Sequence, residues 1–193
     1  MKRKRLYAAI TAVICTAAMT SVMPMQSVQA SALVQNDFEI TYGGWYAESP
    51  DWSADVTAIE GIGFDGTRGM KVTDRTSPED GAVSEKDLYL TGGERYDYSV
   101  RVSAETDQHF KLTLTVEDIK TGEKTVKILD EKDVKGGEWA MLSASYKAPM
   151  NSKSFKLTIT TDTTDDFVYD DVKVVGKQQT LVASAAASDK GLK

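Results

Sequence analysis

Residues 95–104, Arg-Tyr-Asp-Tyr-Ser-Val-Arg-Val-Ser-Ala, alternate strictly between two kinds of side chain. Tyr96, Tyr98, Val100, Val102 and Ala104 form one set; Arg95, Asp97, Ser99, Arg101 and Ser103 form the other. A period of two sends the sets to opposite faces of an extended chain, so the stretch predicts a strand with one buried and one wet face. Residues 111–117 repeat the pattern with Leu112, Leu114 and Val116 inward. Phe155, Leu157 and Ile159 do so against Lys156, Thr158 and Thr160. Turn-forming pairs such as Gly43-Gly44, Asp65-Gly66, Gly92-Gly93, Thr121-Gly122 and Gly136-Gly137 separate these runs at short intervals. Nine or ten short strands are predicted, with no helix of useful length before the C-terminal tail. That pattern predicts an all-β fold, a β-sandwich or jelly roll of two antiparallel sheets.

Working outward, the pattern begins near Asn36 and stops at Gly176. Before it, Lys2-Arg3-Lys4-Arg5 leads into an apolar stretch from Leu6 to Met23, followed by small residues at Val28, Ala30 and Ala32. A basic start, an apolar middle and small residues before a cut predict a secretory signal peptide over residues 1–30, with cleavage after Ala30 or Ala32. Thr11, Thr16, Thr20, Ser21 and Pro24 break the apolar run, which argues against a permanent membrane span. Cys15 is the single cysteine and leaves with this segment, so the secreted chain is expected to carry no thiol and no disulfide. Residues 177–193, rich in Ala, Ser and Gln, read as a linker or tail. The domain proper is thus residues 36–176.

The chain of 193 residues carries 23 Lys and Arg against 29 Asp and Glu. Without the basic start, 19 cations face 29 anions, a net charge of −10. Such a surface repels phosphate backbones and anionic lipid, so neither nucleic acid nor membrane is an expected partner. One Cys and one His are too few for a Cys/His metal cluster or a Cys-His dyad. His109 is read as a surface residue. Asp165-Asp166 are adjacent and do not face each other across a bond as glycosidase carboxylates must. No catalytic constellation is expected.

Four segments resemble the family-22 carbohydrate-binding modules carried by secreted xylanases, whose fold is galactose-binding-like. They are Asn36-Asp37-Phe38-Glu39 with Gly44-Trp45; Gly69-Met70-Lys71-Val72 with Asp74-Arg75-Thr76; Gly137-Glu138-Trp139 through Leu142, Tyr146 and Pro149; and the closing run Thr164 to Val172. Four pieces in the right order cover essentially the whole domain. The tail Ser188 to Lys193 resembles the lead-in to a family-10 xylanase barrel. The resemblance implies a secreted, non-catalytic module that binds xylan or a related β-glycan of the plant cell wall, such as β-glucan. It also implies an attached catalytic domain, an endo-1,4-β-xylanase, beyond Lys193. The alternative is the same fold with sugar binding lost, serving as a stabilising or spacer domain.

Xylan-binding members of that family present an aromatic just after the Arg-Thr, a Tyr and a Glu on the penultimate strand, and an Arg after the early Trp. Here Glu79 stands in place of the aromatic, Thr158 and Thr160 in place of Tyr and Glu, and Glu48 in place of Arg. Sugars bind by stacking their apolar face on an aromatic ring while polar groups take the hydroxyls. Tyr46 and Trp52 are expected in a polar loop and are the candidate stacking residues, unless they close the end of the core. The candidate carbohydrate-binding set is therefore Trp52, Tyr46, Glu79, Thr158 and Thr160. Trp45 and Trp139 are expected in the core. The resemblance further implies a structural Ca²⁺ between the first and last strands, held by Glu39 and Asp170 with backbone carbonyls, a hard-oxygen set suited to that ion.

Overall fold

The computed structural model describes residues 32–41, 43–49, 53–84, 88 and 90–176. The expected signal peptide, the tail 177–193 and Trp52 lie outside the described residues. Eleven strands form among the described residues: β1 (Ala32–Asn36), β2 (Trp45–Glu48), β3 (Asp55–Ile59), β4 (Gly69–Thr73), β5 (Gly81–Ser84), β6 (Arg95–Ala104), β7 (Gln108–Asp118), β8 (Lys124–Val134), β9 (Trp139–Lys147), β10 (Ser152–Thr161) and β11 (Phe167–Gly176). A single 3-10 turn, Phe64–Gly66, is the one helical element among the described residues.

The strands make two antiparallel sheets, as the alternation predicts. One runs β3-β4-β11-β6-β9, with β1 also pairing with β11; the other runs β2-β5-β10-β7-β8. Tyr98, Val100, Val102, Tyr169, Val172 and Leu142 turn inward from the first sheet. Leu112, Leu114, Phe155, Leu157 and Ile159 meet them from the second. Aromatic rings anchor this core: Tyr169 lies 5.5 Å from Phe38, edge to face, and 5.2 Å from Trp45. Such pairs add about 1 kcal/mol beyond the area they bury.

The central strand β11 carries an irregularity that shapes the rest. Phe167–Tyr169 pair with β4, whereas Val172–Val175 pair with β1, so two partners share one edge of the strand. The register against β6 slips between Asp170 and Lys173. Asp171 takes φ +50, a left-handed conformation that Asp tolerates better than most residues. The bulge turns the Asp171 carboxylate onto Arg101 Nε at 3.0 Å. It leaves Asp170 pointing at the segment around the 3-10 turn.

Candidate functional site

The outer face of the five-stranded sheet is where three of the expected sugar-binding residues, Tyr46, Thr158 and Thr160, fall. Register pairs Tyr46 with Val83, Val83 with Thr158 and Thr158 with Thr113, making one row across β2, β5, β10 and β7. Lys156 pairs with Thr115 in the next row, and Thr160 with Lys111 on the other side. Lys111, Thr113, Thr115, Glu117, Thr158 and Thr160 therefore make one continuous polar face.

Tyr46 is 38% exposed. Its hydroxyl accepts a hydrogen bond from Lys156 Nζ at 2.9 Å, and the ammonium lies 5.5 Å from the ring centre. Thr158 is buried, with its hydroxyl donating to Glu48 Oε2 at 3.4 Å. Lys156 and Glu48 thus stand beside two predicted residues; neither was in the predicted set. Their spacing within the polar alternation was visible, but pairing across 110 residues is not written in either segment. Thr160 is half-buried because β5 approaches β10 closely at Gly81: a Cβ there would lie 2.2 Å from the Ile159 carbonyl oxygen. Only glycine fits.

Glu79 occupies the β4–β5 loop, exposed at the edge of the face. The Ser77 hydroxyl donates to its carboxylate, and this bond, with weaker help from Lys111, holds its pKa below the ordinary value. The loop itself is tightly held. Asp80 is fully buried, and its Oδ2 accepts from Thr76 N at 2.8 Å and Ser77 N at 2.9 Å. Burial pushes the Asp80 pKa up, but these hydrogen bonds together outweigh it and the net direction is down.

Glu39 and Asp170 converge on one segment from opposite ends of the chain. Glu39 Oε1 accepts from Arg68 N at 3.0 Å, and Asp170 Oδ2 accepts from Phe64 N at 2.9 Å. At Gly63 the Arg68 carbonyl oxygen and Asp170 Oδ2 approach so closely that a Cβ would lie 2.6 and 2.7 Å from them. Asp170 Oδ2 and the Arg68 carbonyl oxygen thus lie close together beside Gly63, and both are hard-oxygen donors of the kind Ca²⁺ takes. Asp170 is only 2% exposed, and burial raises its pKa above the ordinary carboxylate range. A neighbouring cation would offset that cost. No cluster of three or more His, Cys, Asp or Glu that could hold a metal ion occurs among the described residues, so a cation here would rely on main-chain oxygens beside Asp170.

Trp45 is buried, as expected. Trp139 is not in the core. It opens β9 on the outer face of the six-stranded sheet, half-buried, with its ring 5.8 Å from Phe64 and edge to face. The sequence position permitted either face, since the alternation of β9 is weak around Trp139-Ala140.

The fold is thus a two-sheet β-module whose polar sheet face carries an exposed aromatic ring, the pair of features a sugar site requires. The profile of the carbohydrate binding domain family matches residues 30–166, and the chain belongs to that family. Endo-1,4-beta-xylanase Y of Acetivibrio thermocellus is 39% identical over 198 residues, spanning 100% of this chain and 18% of the relative. A crystal structure of the CBM22-1–GH10 modules of Clostridium thermocellum endo-1,4-beta-D-xylanase 10B, complexed with xylohexaose, is 41% identical with a TM-score of 0.72. It matches 81% of this chain and 30% of that one. A xylan-binding domain of family 22 superposes with a TM-score of 0.69 at 23% identity, over 79% of this chain and 99% of that domain, a likeness of fold. The family-22 resemblance read from the four segments is borne out. The chain is a carbohydrate-binding module, and the catalytic domain of such xylanases lies outside it.

Proposed function

We propose that this module is secreted and binds a neutral plant cell-wall β-glycan of the xylan type on the outer face of the five-stranded sheet. In doing so it holds an attached glycoside hydrolase against its substrate. The observation that carries the reading is the grouping of an exposed Tyr46 ring with Lys156, Glu48 and Thr158 in adjoining rows. A ring for the apolar face of a pyranose and fixed polar groups for its hydroxyls are what a sugar site requires. The association with xylan rests on the 41%-identical relative, which is complexed with xylohexaose. The attached hydrolase rests on the same relative and on the xylanase matched over 18% of its length.

Affinity electrophoresis tests this. Xylan in the gel is expected to retard the protein, and Tyr46→Ala is expected to lose most of the retardation. Absence of retardation by xylan, mixed-linkage β-glucan and mannan alike would overturn the reading in favour of a stabilising or spacer domain. A structural Ca²⁺ held by Glu39 and Asp170, with the Arg68 carbonyl nearby, is part of the same proposal.

A further inference from the structure

We infer that the opposite, six-stranded sheet carries a second sugar-binding cleft, built around Trp139. A single register row crosses this sheet: Lys71 of β4 pairs with Val168 of β11, Val168 with Ser103 of β6, and Ser103 with Trp139 of β9. All four side chains project outward, because their neighbours Val72, Phe167, Tyr169, Val102 and Leu142 fill the core. Large residues thus stand at the two ends of the row and small ones in the middle. With strands about 4.8 Å apart, the walls are about 14 Å apart at the backbone, wide enough for a pyranose ring between them. The resulting cleft has a volume of about 530 Å³, within the ordinary range for small-ligand sites.

The polar groups of the cleft are fixed in place. Lys71 Nζ and Asp166 Oδ2 form an ion pair at 2.9 Å on one wall. The loop carrying Asp165 and Asp166 is held by three further bonds. Arg75 donates to the Asp165 carbonyl at 2.6 Å, Gln108 Nε2 to the Asp166 carbonyl at 3.1 Å, and the Thr106 hydroxyl to Asp165 Oδ2 at 2.7 Å. A prearranged rim loses little entropy when ligand binds. Glu105, Asp165 and Asp166 line the cleft against one cation, Lys71. That balance disfavours phosphates and acidic sugars and favours a neutral polyol, whose hydroxyls donate to carboxylates and accept from the ammonium. A tryptophan wall supplies the stacking surface.

The ligand class is the one proposed for the first face, but the site is separate, and binding at each is read separately.

The test is an NMR titration of the wild-type chain with xylohexaose, cellohexaose and mannohexaose, following the Trp139 indole N–H and the amides of Ser103 and Val168. A saturable shift of these signals with at least one neutral oligosaccharide is the expected result. In Trp139→Ala the shifts at Ser103 and Val168 are expected to vanish, while those at Tyr46 and Thr158 persist if the first face binds. Lys71→Met, which leaves the tryptophan packing intact, is expected to weaken the cleft titration at least fivefold. Unmoved Trp139, Ser103 and Val168 signals with all three sugars at millimolar concentration would overturn the inference, whatever happens at Tyr46. Stronger binding of a hexuronate oligomer than of its neutral counterpart would overturn it equally.

Discussion

Arg75 Nε donates to the Asp80 main-chain carbonyl at 2.6 Å, and the same guanidinium reaches the Thr161 hydroxyl at 2.8 Å and the Asp165 carbonyl at 2.6 Å. One buried cation therefore closes the loop that presents Glu79 beside the five-stranded face. It also anchors the loop that rims the Trp139 cleft. Its ring contact, 4.9 Å to the centre of Phe167, seats it over the core. Burial lowers the Arg75 pKa, and Asp80, Asp165 and Asp166 oppose that shift.

Replacing this residue removes charge-assisted bonds and leaves buried carbonyls without donors. Arg75→Met is expected to cost about 3 kcal/mol of folding stability. Arg75→Lys is expected to recover little, because an ammonium cannot match the planar fork. Urea denaturation with an unchanged slope measures both. A loss below about 1 kcal/mol for Arg75→Met would mean that water replaces the guanidinium without difficulty.

Tyr169 predicts the opposite sign. It is fully buried, and its hydroxyl has no hydrogen-bond partner among the described residues, so desolvation drives its pKa well above the ordinary value. Tyr169→Phe deletes an unsatisfied polar atom and keeps the ring contacts with Phe38 and Trp45. The denaturation midpoint is expected to stay level or rise. A loss of about 1 kcal/mol or more would reveal a partner for the hydroxyl.

These two residues also mark how far the sequence could be read. The strands around Tyr98, Leu112 and Leu157 were legible because burial on one face imposes a period of two. The edge strand Lys124–Val134 was not, since most of its residues are exposed and no alternation is enforced. Thr158 and Thr160 were legible on the polar face of their strand by parity, whereas Tyr46, expected in a loop, lies on the short strand β2, whose four residues are too few to show an alternation. Lys156 beside Tyr46 and Glu48 beside Thr158 depend on which strands become neighbours, a property of topology. Trp139 was misjudged for a local reason: an aromatic at the first position of a strand has no preceding alternation to fix its face.

His109 makes a pH prediction. Its Nδ1 lies 2.6 Å from Asp133 Oδ1, and Nε2 lies 3.5 Å from Glu131 Oε2. The Asp133 bond is the main cause that raises the His109 pKa above 6.5; partial burial opposes it, and Glu131 adds to it. A raised folded-state value means that the contribution is complete below about pH 6.5 and fades as pH rises through the folded-state pKa. Because Asp133 is 91% exposed on its side chain, solvent screening keeps the pair within about 0.5 kcal/mol. Stability of wild type minus His109→Gln, measured from pH 5 to 9, is expected to fall across that window. A difference that grows with pH would contradict the ion pair.

Calcium supplies the most direct test of what joins the chain ends. Glu39 follows β1 and Asp170 sits at the bulge of β11, yet both grip residues 64–68. An ion bound only by the folded state stabilises it by mass action, about 2.7 kcal/mol at a hundredfold excess over Kd. Chelator is therefore expected to lower the thermal midpoint, and added Ca²⁺ to restore it. Mg²⁺ is expected to restore less, since it demands a tighter octahedral set and gives up water reluctantly. Glu39→Gln should abolish the chelator response while the protein remains folded. Identical midpoints for wild type with chelator and with Ca²⁺ would leave these carboxylates with only their main-chain hydrogen bonds to explain them.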